Sequence, residues 1–225
     1  MTDTPDIQAR RAALLDDIQA TAQDAGRSPD SIKLVAVSKR QPEARLEAAL
    51  TAGQRVFGEN RVQEAQAHWA ERRAAWPDLE LRLIGPLQSN KAAEAVALFD
   101  VIETLDREKL AKALRKEMDI QKRSPRLFVQ VNTGDEPQKA GIAPSEVADF
   151  VGRMRTGYGF AIDGLMCIPP VEEPPGLHFA LLAKLTAQLD LPEMSMGMSS
   201  DYPTAIRLGA TSVRLGTAFF GSRDS

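Results

Sequence analysis

A short strand-forming segment followed by a helical run, repeated along nearly the whole chain, leaves few folds open. Strands are read at Lys33–Val37, Arg55–Gly58, Leu81–Ile84, Val101–Leu105, Leu127–Val131, Ile162–Met166, Met194–Met196 and Ser212–Leu215. They are short and mostly apolar, and Ser38, Gly85, Asn132, Gly197 and Gly216 follow five of them, as turns after buried strands should. The stretches between them carry helix signals. Pro42 opens a run with Leu46, Ala49 and Leu50 that stops at Gly53, and another run spans about Asn60 to Ala75. Ahead of the first strand, Thr4-Pro5 starts a helix in which Ile7, Leu14 and Ile18 recur at near-helical spacing until Gly26. Strands that alternate with helices pair in parallel, and eight such units close into a barrel with the helices outside. The sequence therefore predicts a single (β/α)8 TIM-type barrel with an extra N-terminal helix, one domain over residues 1–225. An open doubly wound sheet is the competing architecture, and it usually has fewer strands.

Composition narrows the function classes. A net charge of −3 and a pI near 5.6 argue against a phosphate-backbone footprint, so nucleic acid is not an expected partner. A small anion needs only a few donors and stays open as a ligand. Cys167 is the only cysteine, which excludes an internal disulfide and a thiolate metal cluster and points to a reducing compartment. The first residues, Met1 to Arg11, have no apolar stretch, and no window approaches the roughly 18 apolar residues of a membrane span. A cytoplasmic protein with no membrane contact is expected.

In a barrel of this kind chemistry gathers at the C-terminal ends of the strands. Lys39 stands directly after the apolar strand Leu34–Val37, at the predicted mouth. An ordinary lysine has a pKa near 10.4, so only on the order of one in 10³ to 10⁴ is neutral at pH 7. Burial raises that fraction, and the neutral amine is what attacks an aldehyde. Position alone fits equally well an ion pair with a barrel carboxylate such as Glu59.

The segment Ser195–Asp201 ends a strand, offers small residues and hydroxyls, and precedes a helical run from Tyr202 to Leu208. Val213–Thr217 does the same after the last strand, and barrels often bind phosphate with the loops after their last two strands. No Walker-type loop or G-x-G-x-x-G is present. His68 and His178 have no metal-like partner four residues on and read as surface or packing histidines. Cys167 reads as a small packed thiol, and Met194, Met196 and Met198 as a strand lining the barrel.

On these motifs the sequence resembles the pyridoxal-phosphate-binding homeostasis family, whose barrel is similar to the N-terminal domain of alanine racemase. The likeness spans roughly residues 8 to 223. It rests on Leu34-Val35-Ala36-Val37-Ser38-Lys39, Phe57-Gly58-Glu59-Asn60, Ile84-Gly85-Pro86-Leu87-Gln88-Ser89-Asn90-Lys91, Gly164-Leu165-Met166 with Ile168-Pro169-Pro170, Ser195–Asp201 and Val213–Gly216. The resemblance implies that Lys39 carries pyridoxal 5′-phosphate as a Schiff base and that Asn60 lies by the ring. It implies further that Ser199, Ser200, Gly216 and Thr217 hold the phosphate and that Arg214 faces the pyridine nitrogen. Arg61 replaces a usual aromatic and Arg82 a usual histidine, while Lys139 matches a lysine at the mouth.

A cation beside the pyridine nitrogen weakens the ring as an electron sink. Racemases of similar barrel take a second base, a tyrosine, from an additional domain, and neither Tyr158 nor Tyr202 occupies a recognisable equivalent. The expectation is thus a monomeric, non-catalytic cofactor carrier that releases pyridoxal 5′-phosphate to apo-enzymes. The alternatives are a pyridoxal-phosphate-dependent amino-acid racemase and a Schiff-base aldolase acting directly through Lys39.

Overall fold

The computed structural model describes residues 4–221. Eight parallel strands close into a barrel in chain order, each hydrogen-bonded to the next and the last to the first. They are β1 (Lys33–Val37), β2 (Val56–Glu59), β3 (Glu80–Leu83), β4 (Val101–Leu105), β5 (Arg126–Val131), β6 (Ile162–Cys167), β7 (Glu193–Ser195) and β8 (Ser212–Leu215). Outside lie α1 (Thr4–Asp24), α2 (Glu43–Thr51), α3 (Val62–Trp69), α4 (Arg72–Ala75), α5 (Ala92–Leu98), α6 (Glu108–Gln121), α7 (Val147–Tyr158), α8 (Pro175–Gln188), α9 (Tyr202–Arg207) and α10 (Thr217–Phe220). The expected (β/α)8 barrel is the observed fold, with α1 as the additional helix. The expectations that involved Met1 to Asp3 lie outside the described residues.

Two cores follow from the period of two along each strand. Leu34 and Ala36 on β1, and Leu81 and Leu83 on β3, join a continuous apolar cluster with Leu46, Trp69, Val96 and Leu114 from the helices. The intervening residues face the barrel interior, and there the lining is mixed. Val35 and Phe128 are fully buried, yet so are Arg82, Glu103, Ser195 and Ser212. Burying a charge is costly unless it is paired. The interior satisfies this with ion pairs, described below.

Two local differences from the sequence reading have identifiable causes. The single helix expected over Asn60 to Ala75 is broken into α3 and α4. Arg72 Nη1 donates to the carbonyl of His68 at 2.6 Å, an acceptor that a continuing helix would give to the N–H of residue 72. The methionine series does not line one strand. Only Met194 lies on β7, Met196 is buried just beyond it, and Met198 is exposed at the rim.

Candidate functional site

The strand ends on the C-terminal side enclose a cavity of about 360 Å³, at the small end of the range for ligand pockets. Lys39, Asn60, Ser199, Ser200, Arg214, Gly216 and Thr217 all line it, so every residue singled out from the sequence for this site meets in one place. Val37, Gln41, Ile84, Ile168, Met198 and Gly221 complete the wall. Sequence reasoning did not pick these out individually. Their signal was available only as position, since each lies at or just after a strand end or at the chain's last turn.

Lys39 is half-buried, and its backbone is bracketed on both sides. Ser38 donates from its N–H to Gly58 O at 3.0 Å and from Oγ to Glu59 Oε1 at 2.6 Å. Arg40 adopts the left-handed conformation, φ 58°, and its N–H is bound by the carboxylate of Glu64. A non-glycine residue pays strain of about 1 kcal/mol or more there, and such strain persists only where surrounding contacts fix the backbone.

Glu59, the carboxylate that the sequence offered as an ion-pair partner for Lys39, is wholly buried and draws three donors to Oε1. Besides Ser38, these are His68 Nδ1 at 2.8 Å and Trp69 Nε1 at 3.0 Å. Its Oε2 has no hydrogen-bond partner among the described residues. The hydrogen bond to Glu59 raises the pKa of His68 above its ordinary value, against the opposing effect of burial. His68 is therefore part of the support beneath Lys39 and not a surface or simple packing histidine. The spacing Glu64 to His68, one helical turn, was the available signal.

Asn60 is held by a close approach of backbones. A Cβ on Gly85 would lie 2.3 Å from Asn60 O, so only glycine lets the Ile84-Gly85-Pro86 turn pass there.

Across the cavity the turns after β7 and β8 interlock. Gly197 has φ 95°, and an added Cβ would meet Ala205 Cβ at 2.7 Å. Asp201 Oδ1 accepts the Met198 N–H at 2.6 Å, and Ser199 Oγ accepts the Ala218 N–H at 3.2 Å, which joins the two turns. The N–H groups of Ser199, Ser200 and Thr217 have no acceptor among the described residues. A ring of unpaired donors beside hydroxyls is a site for an anion.

Arg214 forms the floor. Its guanidinium donates from Nη1 to Ser195 Oγ at 2.6 Å and from Nη2 to Cys167 O at 2.8 Å, and it is 4% exposed. Cys167 is buried, and burial pushes its thiol up to about 12, which fits a packed thiol. Below, Ser195 Oγ donates to Glu103 Oε2 at 2.5 Å, and Arg82 Nη1 donates to Glu103 Oε1 at 3.0 Å. Burial alone would lower the Arg82 pKa, and the charges of Glu103 and Glu80 reverse this and hold it above its ordinary value. Sequence reasoning did not find Glu103.

The remaining candidates lie elsewhere. Lys139 pairs with Glu136 at 2.5 Å and borders a smaller cavity of about 230 Å³, which shares Ile168 with the main one. Arg61 lines a neighbouring cavity of about 640 Å³ with Lys91 and Arg107. Tyr202 Oη is bound to Asp17, Tyr158 stacks on Phe160 at 5.8 Å, and His178 lies buried with Nε2 3.1 Å from Glu173. Neither tyrosine lines the main cavity. Among the described residues no helix is long and apolar enough to cross a membrane.

Comparison with known proteins bears on the family and the fold. The family described as alanine racemase, N-terminal domain, matches residues 11–224. The chain is 38% identical over 231 residues to the pyridoxal phosphate homeostasis protein of Vibrio alginolyticus, covering 97% of this chain and 98% of that one. It is 40% identical to PipY of Synechococcus elongatus, solved with pyridoxal phosphate bound, with a TM-score of 0.81 over 96% of this chain and 100% of the other. Alanine racemase of Clostridium difficile shares the fold, with a TM-score of 0.69 at 13% identity, covering 94% of this chain and 56% of that one.

Proposed function

The chain belongs to the pyridoxal phosphate homeostasis protein family, and from that membership we propose that it is a single-domain carrier that holds pyridoxal 5′-phosphate on Lys39. The observation that carries the proposal is the meeting of an amine, two donor-rich turns and a buried cation in one cavity of about 360 Å³. That set matches the cofactor's aldehyde, phosphate and ring nitrogen in kind, the two turns together serving the phosphate. Bound there, the cofactor supplies an aldehyde that condenses with an amine and a ring that withdraws electrons.

Each residue then has a task. Lys39 Nζ would be the amine that meets the aldehyde and holds it. Ser199, Ser200, Gly216 and Thr217 hold the phosphate through the free N–H groups and hydroxyls that face each other across the two turns. Asn60 would lie against the ring, and Arg214 would donate to its nitrogen. A guanidinium does not give up its proton at neutral pH, so the ring nitrogen beside it stays unprotonated.

Attachment through a single lysine would be reversible, and Lys39 would regain its amine on release, which suits delivery to an apo-enzyme whose own lysine awaits the cofactor. Withdrawal of a substrate proton needs a positioned base. Tyr158 and Tyr202 are engaged away from the cavity, and the relatives bear the name of homeostasis proteins. Both features support a carrier over a racemase.

The test is direct. Protein incubated with pyridoxal 5′-phosphate should show a visible-region imine band that Lys39→Ala abolishes, and borohydride should fix the mass of the reduced cofactor on Lys39. A colourless wild-type protein would sink the proposal. Amino-acid racemisation by the wild type, lost in Lys39→Ala, would replace the carrier with an enzyme.

A further inference from the structure

Within the barrel a line of charged and polar groups runs from the lower rim to the cavity floor. Lys33 on β1 stands 3.5 Å from Glu80, and Glu80 Oε1 accepts Arg82 Nε at 2.6 Å. Arg82 Nη1 reaches Glu103 Oε1, Ser195 Oγ bridges Glu103 Oε2 to Arg214 Nη1, and Arg214 opens on the cavity. Arg82, Glu103 and Ser195 are 0% exposed.

Such an arrangement needs a reason beyond stability. Taking an ion pair out of water costs more than the pairing returns unless the geometry is very good, and an apolar core of the same volume is often at least as stable. Here the geometry leaves no freedom. Each oxygen of Glu103 has its own donor, so the carboxylate cannot turn without losing one. Arg214 uses one Nη on Ser195 and the other on Cys167 O, so its guanidinium is fixed in plane.

The charges also alternate along the line. Glu80 is negative at the rim, Arg82 positive, Glu103 negative, and Arg214 positive at the cavity. Glu103 Oε2 lies 4.0 Å from Arg214 Nη1, within the range where one full charge alters the potential felt by its neighbours.

We propose that Glu103 and Arg82, remote from the cavity, are positioning residues for Arg214: Glu103, through Ser195, fixes the guanidinium and tempers its charge, and Arg82 holds Glu103 in place. The inference rests on the carrier reading, because its readout is the cofactor bound at Lys39. The line acts as a setting for the proton affinity of the tethered imine. A stronger positive charge on the floor disfavours a second positive charge on the imine, so it titrates at lower pH.

The experiment is a pH titration of the visible band in cofactor-loaded protein, with dissociation measured alongside. Glu103→Gln removes the tempering charge and keeps the shape. Its band should titrate about one pH unit lower than wild type, the size expected of a charge several ångströms away in a protein interior. Ser195→Ala, a smaller change that guards against a misfolded Glu103 variant, should weaken loading about tenfold through the lost charge-assisted bond. Arg82→Lys keeps the charge but cannot bind Glu80 and Glu103 together as the guanidinium does, so its band should titrate between wild type and Glu103→Gln.

A purely structural role would lower the melting temperature and leave the titration where it is. Wild-type titration in Glu103→Gln together with wild-type loading in Ser195→Ala overturns the proposal, even with Lys39 normally trapped by borohydride. Failure of the wild type to trap any cofactor overturns the carrier reading instead, and this inference with it.

Discussion

The two sides of the cavity are built on different principles. Beneath Lys39 the support is a set of titratable side chains: Glu59 gathers Ser38, His68 and Trp69, and Glu64 fixes the backbone of Arg40. Around Ser199 and Thr217 the support is mostly backbone, shaped by glycine, with the Asp201 carboxylate on the Met198 N–H and one serine hydroxyl joining the two turns. On the carrier reading, the side that takes the aldehyde has charges that can respond to it, and the side that takes the phosphate rests mostly on N–H groups whose state does not change with pH.

The contrast breaks most severely at Gly197. Valine there must adopt φ 95° and place a Cβ against Ala205, so Gly197→Val should cost about 2 to 4 kcal/mol and lose cofactor loading. A thermal melt and a loading assay measure both. On the other side, Glu59→Gln replaces a buried charged acceptor of three bonds. The expected cost is about 2 kcal/mol, read from denaturant unfolding, with loading weakened and not abolished.

Ser199→Ala removes the bond that joins the two turns. It should lower affinity several-fold, for about 1 kcal/mol, and leave the melting temperature nearly unchanged. The smallest effect is the most specific to the titratable side. The folded-state pKa of His68 is raised, so its contribution is complete below the unfolded value near 6.5 and fades as pH rises through the folded one. The stability difference between wild type and His68→Gln should shrink from pH 6 to 8. A difference that stays constant would show that charge plays no part there.

The same contrast explains what was legible in the sequence. The phosphate-like turns are local: glycine and serine at strand ends announce themselves within a few residues, and Lys39 follows an unmistakable apolar strand. The barrel was legible for the same reason, because strand and helix periods are local patterns. What escaped was assembled across the chain. Glu103 lies 92 residues from Ser195, and Arg82 lies 130 from Ser212, and only barrel closure brings them together. Within β4, Glu103 reads as a polar residue on a strand, and nothing nearby says it is buried. The break between α3 and α4 was missed because a side chain, Arg72, captured a carbonyl that propensity assigns to the helix.

One further property of the interior matters at the bench. The chain has a single cysteine, and burial keeps its thiol protonated far above neutral pH. Maleimides and similar reagents attack the thiolate and must reach it, so the buried Cys167 is a poor target in the folded chain. A cysteine introduced at any exposed position becomes the sole point of labelling. On the carrier reading, a fluorophore placed there would be quenched by bound pyridoxal 5′-phosphate and would report its departure in real time without a partner being tagged.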